Sequence, residues 1–206
     1  MDFFEIMLQQ KLAGGGGGDY DAEDRIVTGT ISIYTNSRVT NIGDNAFRSC
    51  SALTTVNFPN VTSIGSYAFT SCFALTAVSF PNATYIGSYA FQTCSALIAA
   101  SFPNVTGMGN YTFQNCATLT TANFPKATNI ASSAFYGCRS LMSAYFLASS
   151  TATLGNASAF HNTPMSNSTY TGSFGSIYVP ASLVDAYKSA AWWSAYKNRI
   201  TSYEGE

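Results

Sequence analysis

The chain has 206 residues, a formal net charge of −1 and only 9% charged residues, none of them between Ser49 and Pro125. So weak a field offers nothing to a phosphate backbone, which excludes nucleic acid as an expected partner. No apolar run approaches the roughly 20 residues that span a bilayer, and no membrane span is expected.

From the start, Asp2 to Leu12 read as a short amphipathic helix, with Phe3, Phe4, Met7 and Leu8 crowding one side at helical spacing. It is too short to be stable alone. Residues 13–25 form a linker of five glycines, Gly14 to Gly18, and the acids Asp19, Asp21, Glu23 and Asp24. The glycine run lacks the preceding strand and fixed partners of a nucleotide fingerprint. The acids lack the glycine and distal glutamate of a calcium loop, so the whole reads as a solvated tether. An apolar peptide on such a tether reads as a docking device, with Phe3, Phe4, Met7 and Leu8 as its contact residues. Its other reading is a lid that folds back on the first coil. The opening carries acids and lacks a basic start and a small-residue cleavage site, so it is a poor secretory signal.

Ile26 to Tyr34, with Ile31 and Ile33 alternating against Ser32 and Tyr34, reads as a strand capping the N-terminal end. A 22-residue unit then repeats without insertion from Ile42, Ile64, Ile86, Met108 and Ile130. A period of this length means one supersecondary unit per repeat, stacked into a solenoid. In Leu53 to Phe58, Val56 and Phe58 point in and Asn57 out, a short strand that Pro59 ends because it has no amide hydrogen to give. Gly65 is expected to permit a bend, and Ser66 to Phe69 to form a helical turn with Phe69 and Cys72 inside. Ile64, Leu75, Val78 and Phe80 complete the filling of that coil.

Cys50, Cys72, Cys94, Cys116 and Cys138 share one repeat position, so they form a column of free buried thiols. Metal ligands must converge, and a column does not. No metal or cofactor is called for. The Asn-x-Ser/Thr triplets at Asn60, Asn82, Asn104, Asn110, Asn156 and Asn167 are by-products of a repeat rich in asparagine and threonine.

At these residues the pattern I-G-x-x-A-F-x-x-C-x-x-L-x-x-V-x-F-P resembles the BspA-like leucine-rich repeat, over roughly residues 30 to 180. The resemblance implies a right-handed α/β solenoid with one short parallel strand per repeat, in proteins that mostly bind other molecules. It implies no catalytic residues.

After Ile130 the unit loosens. The fifth copy keeps Phe135, Cys138, Leu141 and Phe146 but loses the proline, and Ala148 to Gly175 read as an enlarged polar coil around His161, the only histidine. Ser176 to Pro180 restore the last rung, so the solenoid spans residues 26–180. Residues 181–206 read as a helical cap. It comprises a helix from Ser182, with serine as its cap and Asp185 in its first turn, then Trp192, Trp193 and Tyr196, and a final strand near Ile200. The tryptophans close the open core in one reading and grip a ligand in the other.

No nucleophile, base or metal constellation is present, so an enzyme is not expected. Two functions remain. One is a virion or tail-associated recognition arm of a bacterial virus or prophage, attached to a protein partner through the N-terminal peptide, whose opening resembles short prophage tail-module N-termini. In that reading the chain resides in the virion, or in the host cytoplasm before assembly. The other is a surface or secreted adhesin of the BspA-like kind. In either, outward strand positions face the ligand, a cell-surface glycan or protein. The rungs are small until Tyr145 and Tyr178 stand side by side, flanked by Ser143 and Ser176 and bordered by the loop of His161; these five are the candidate binding residues. Self-association is left open.

Overall fold

The computed structural model describes residues 33–35, 37–166 and 173–205. The N-terminal peptide with Phe3, Phe4, Met7 and Leu8, the tether and residues 26–32 lie outside these. The fold is a parallel solenoid in which each coil presents three sides. On the first side stand the strands β1 (Ile33–Thr35), β3 (Thr55–Asn57), β5 (Ala77–Ser79), β7 (Ala99–Ser101), β9 (Thr121–Asn123), β11 (Ser143–Tyr145), β13 (Ser176–Pro180) and β14 (Ile200–Tyr203). Their register repeats the sequence period, as in Thr55 opposite Ala77 and Ala99 opposite Thr121.

A second ladder was not read from the sequence. It consists of two-residue strands, β2 (Asn41–Ile42), β4 (Ser63–Ile64), β6 (Tyr85–Ile86), β8 (Gly107–Met108), β10 (Asn129–Ile130) and β12 (Thr153–Leu154), paired in that order. Two residues are too few to show alternation. The glycines that follow this ladder at Gly65, Gly87, Gly109 and Gly155 serve this side, though not through a bend, while the fifth coil has Ala131 there. A Cβ on Gly65 would lie 2.6 Å from the Asp44 nitrogen, and one on Gly109 2.4 Å from the Ser88 nitrogen, so at these positions a side chain would force the neighbouring coil to shift.

The third side corrects the expected helical turn. Asn45, Tyr67, Tyr89, Tyr111 and Ser133 all have φ between 56° and 60°, and a second left-handed residue follows four positions later, as at Ser49, Ser71, Thr93 and Asn115. A right-handed helix cannot hold such residues. Instead alternate amides donate to the next coil: Asn45 to Ser66 O at 2.9 Å, Phe47 to Ala68 O at 2.7 Å, Ser49 to Thr70 O at 2.8 Å. Backbone groups that a helix would have satisfied within itself are satisfied between coils.

Side chains repeat the same stitching. Thr62, Thr84, Thr106 and Thr128 donate their hydroxyls to the carbonyl of the threonine one coil earlier. The Asn82 and Asn104 amides donate to Pro59 O and Pro81 O at 2.7 and 2.8 Å, which gives these triplet asparagines a structural use. The thiols, expected to be small filler, donate too. Cys72, Cys94, Cys116 and Cys138 reach Phe47 O, Phe69 O, Phe91 O and Phe113 O at 3.0–3.1 Å, adding a second donor to carbonyls that already accept a backbone amide. Thr163 takes the cysteine's place in the sixth coil and donates to Phe160 O.

Inside, two phenylalanine columns interlock. Phe47, Phe69, Phe91, Phe113, Phe135 and Phe160 stack at 5.0–5.4 Å. Phe58, Phe80, Phe102, Phe124 and Phe146 form the other, and members of the two meet tilted or edge-on. The segment Ala148 to Gly175, read as an enlarged coil, therefore continues the core through Leu154, Ala159 and Phe160, with two residues inserted before Thr153 pairs with Asn129. One seam interrupts the first side: β1-β3-β5 and β7-β9-β11-β13-β14 are separate sheets. There Ile98 N stands 3.5 Å from Thr76 O, against 2.8 Å for Thr76 N to Thr54 O. Val78, expected inside, is only partly buried, at the point where the inward residue changes from valine to Ala100.

The ends depart from the sequence reading in two places. β1 pairs with β3 so that Tyr34, not Ile33, is in register with the inward Val56. At the other end the serine cap is not made: Ala181–Leu183 is a 3-10 turn, and the helix α1 (Val184–Ser189) starts from Leu183 with no side-chain cap, though Asp185 does lie in its first turn. Closure comes from aromatic residues. Trp193 is buried against Phe146 and Phe160, Tyr196 against Phe160, and Tyr187 is buried edge-on to Trp193. Their polar ends serve the last coil: Trp193 Nε1 donates to Ala152 O at 2.7 Å, Tyr187 Oη accepts from Ala152 N at 3.0 Å, and Tyr196 Oη accepts from Phe160 N and donates to Ala157 O.

Two measurements test this account. Phe69→Ala or Phe91→Ala, each removing a fully buried ring, should cost about 3–5 kcal/mol in denaturant unfolding; a loss below about 1 kcal/mol would place the rings outside the core. Burial raises the Cys50 thiol to about 11 and holds Cys72, Cys94, Cys116 and Cys138 well above their ordinary range. Unfolded thiols ionise near pH 8.5, about where folded ones remain neutral. Stability is therefore complete below that pH and falls as pH rises above it. Melting temperatures between pH 7 and 10 should drop, and thiol labelling of Cys72 to Cys138 should need unfolding; a flat profile with rapid native labelling would refute the buried column.

Candidate binding surfaces

The outward positions of the first side are small and uncharged over β3 to β9: Thr55, Asn57, Ala77, Ser79, Ala99, Ser101, Thr121 and Asn123. From β3 onward, rings appear at the outward positions of the C-terminal rungs. Tyr145 and Tyr178 are in register and stack at 4.7 Å with 10° between planes, half-buried, above the equally half-buried pair Ser143 and Ser176. Four of the five expected binding residues thus meet. The fifth does not: His161 lies on the third side, where it stacks on Tyr136 at 5.5 Å, while Asn162 donates to the Tyr136 hydroxyl. Three inserted residues, two before Thr153 and one more before Phe160, together with a left-handed Asn162, put His161 in the column of Gln92, Gln114 and Tyr136, a placement hidden once the 22-residue period slips.

One member of the patch was missed. Tyr203 stands edge-on to Tyr145 at 5.7 Å and to Tyr178 at 6.5 Å, and is 42% exposed. It comes from β14, whose register sets Pro180 opposite Tyr203, and no repeat unit announces that strand. The result is a pair of parallel rings walled by a perpendicular one, a rigid apolar corner with hydroxyls at its rim. Such groups contact a partner at little entropic cost.

A second aromatic array runs along the third side. Tyr67, Tyr89 and Tyr111 stack at 4.7 and 4.9 Å, and the Arg48 guanidinium lies over the Tyr67 ring at 5.5 Å. Trp192 is exposed where Trp193 is buried, so the adjacent tryptophans divide: the second seals the core and the first faces solvent. Among the described residues no group of three or more His, Cys, Asp or Glu could hold a metal ion, and no helix is long and apolar enough to cross a membrane.

Comparison with known proteins agrees with this geometry. No curated protein matches the chain. Among solved structures it resembles a leucine rich cell surface protein from Faecalibacterium prausnitzii A2-165, with 26% identity and a TM-score of 0.60 over 72% of this chain and 39% of that one. It also resembles the pneumococcal vaccine antigen PcpA in fold, with 15% identity and a TM-score of 0.54 over 89% of this chain and 42% of that one. The chain therefore spans well under half the length of either. Six copies of the BspA type leucine rich repeat region match over residues 28–142 and 62–181. With the stacked coils and regular spacing of the core in view, the chain belongs to the BspA type leucine-rich repeat family.

Proposed function

We propose that this chain is a non-enzymatic binding protein of a bacterial surface, displayed or secreted, that engages a host-surface protein or glycan. The observation that carries the reading is the Tyr145, Tyr178 and Tyr203 corner, an aromatic feature beside the small and uncharged outward positions of β3 to β9. Support for the surface comes from the relative described as a cell surface protein. The virion or tail arm finds no support among the relatives and gives way to this reading. A rigid solenoid suits the role, since its stacked rungs hold the rings in place before any partner arrives.

The Tyr145→Ser, Tyr178→Ser double variant should keep its circular dichroism spectrum and lose most binding to host cells or immobilised surface components. Full retention of binding would move the site elsewhere. The N-terminal residues Phe3, Phe4, Met7 and Leu8 are proposed as a separate attachment element. Deleting residues 1–18 should leave the melting temperature nearly unchanged, because a glycine run transmits little packing energy, while abolishing attachment or self-association. Unfolding of the truncated chain would instead identify the peptide as a cap.

A further inference from the structure

The third side bears a feature that neither the core nor the strand-side patch requires. At one repeat position the backbone is left-handed in every regular coil, with φ of 59° at Asn45, 59° at Tyr67, 60° at Tyr89, 57° at Tyr111 and 56° at Ser133. Asparagine enters that region readily and a bulky side chain rarely does. The first coil uses asparagine and the fifth serine, yet three successive coils use tyrosine. Strain of this kind is held where the side chain has a use. Mutual stacking offsets part of the cost and fixes the rings.

What surrounds the rings narrows the use. Three positions further on, Gln92 donates to Gln114 across the coils at 2.6 Å, an amide row parallel to the ring row. On the other flank, at Ser66, begins a groove of about 540 Å³ lined by Asn41, Asp44, Ser63, Ser66 and Tyr85 over the glycine backbone of Gly65 and Gly87. Charge touches the N-terminal end of this surface, where Asp44 lines the groove and Arg48 lies over the Tyr67 ring, and no charged residue lies between Arg48 and Lys126 along the rest of it. The surface therefore offers ring edges, phenol hydroxyls, amides and serine hydroxyls, repeated at one strand spacing of 4.7–4.9 Å along the axis. A protein partner would ordinarily meet an apolar centre with charged or arginine anchors. A polymer of neutral sugars presents apolar C–H faces and hydroxyl pairs at a regular advance, which matches both the chemistry and the periodicity.

We propose that Tyr67, Tyr89 and Tyr111, with Gln92 and Gln114, form a second binding stripe that takes an extended neutral glycan laid along the solenoid axis. The stripe is independent of the Tyr145 corner and stands whether or not that corner binds. Ring hydroxyls and the amide row hydrogen-bond successive sugars, and the far face of Tyr111, where the next coil has Ser133 in place of a ring, supports a terminal sugar by stacking.

The test is affinity electrophoresis of the full chain through gels containing a soluble β-glucan, α-mannan or galactan. At least one should retard the wild-type protein. The Tyr67→Asn, Tyr89→Asn, Tyr111→Asn triple variant should bind that polysaccharide at least about tenfold more weakly, each stacked ring having been lost. Its melting temperature should hold, since Asn45 already occupies this position at φ 59°. Should the triple variant fold poorly, Tyr89→Asn alone should show a smaller loss. The Tyr145→Ser, Tyr178→Ser variant should be retarded like wild type, which separates this stripe from the strand-side patch. The proposal falls if none of the three polysaccharides retards the wild type, if the variants of the stripe are retarded equally, or if the stripe variants lose binding to a protein and to no polysaccharide.

Discussion

Everything in this molecule depends on one distance, the separation of adjacent coils. Coils one strand spacing apart share backbone hydrogen bonds on all three sides, and each side meets the demand differently. The strand side pairs three residues, the second ladder pairs two, and the turn side alternates left-handed residues so that its amides point along the axis. Glycine at the head of most units, Gly65, Gly87, Gly109 and Gly155, follows from the same distance, because a methyl group there would lie under 3 Å from the neighbouring backbone. A repeat with so few charges gains its specificity from this exchange, in which an unmatched buried donor would cost about 1–3 kcal/mol.

Identity in register turns single residues into columns, and each column acts as a unit. Threonines, asparagines and thiols all donate one coil back, so their hydrogen bonds reinforce the ladder rather than compete with it. Phenylalanines stack within columns and meet edge-on between them, which fills the interior without a helix. Columns also create surfaces. Where the position faces out, a repeated tyrosine becomes a row of rings, as at Tyr67, Tyr89 and Tyr111, and paired tyrosines become a platform, as at Tyr145 and Tyr178.

A stack of this kind must end, and the C-terminal segment shows how. Trp193 and Tyr196 present apolar bodies to the last phenylalanines, Tyr187 backs Trp193, and all three give polar tips to backbone groups for which the next coil is missing. The same segment then adds β14 and brings Tyr203 to the tyrosine corner. The cap and the third ring of the tyrosine corner are thus built from one stretch of chain, since the register that closes the sheet also sets that ring.

The amino-acid sequence determined by itself the period, the inward columns of Phe69, Leu75 and Phe80, the aligned free thiols, and the meeting of Tyr145 with Tyr178. All of these follow from counting 22 residues, because stacking converts sequence distance into spatial neighbourhood. Tertiary structure alone decided what the count cannot carry. The turn side is left-handed instead of helical, since Tyr67 and Ser71 satisfy their amides in another coil; no local propensity records that partner. His161 left the tyrosine patch and Tyr203 joined it, because insertions after Asn129 and the pairing of β14 with β13 reset the register. The thiol donors to Phe69 O and Phe91 O, and the strained row of tyrosines, likewise exist only once one coil is laid upon the next.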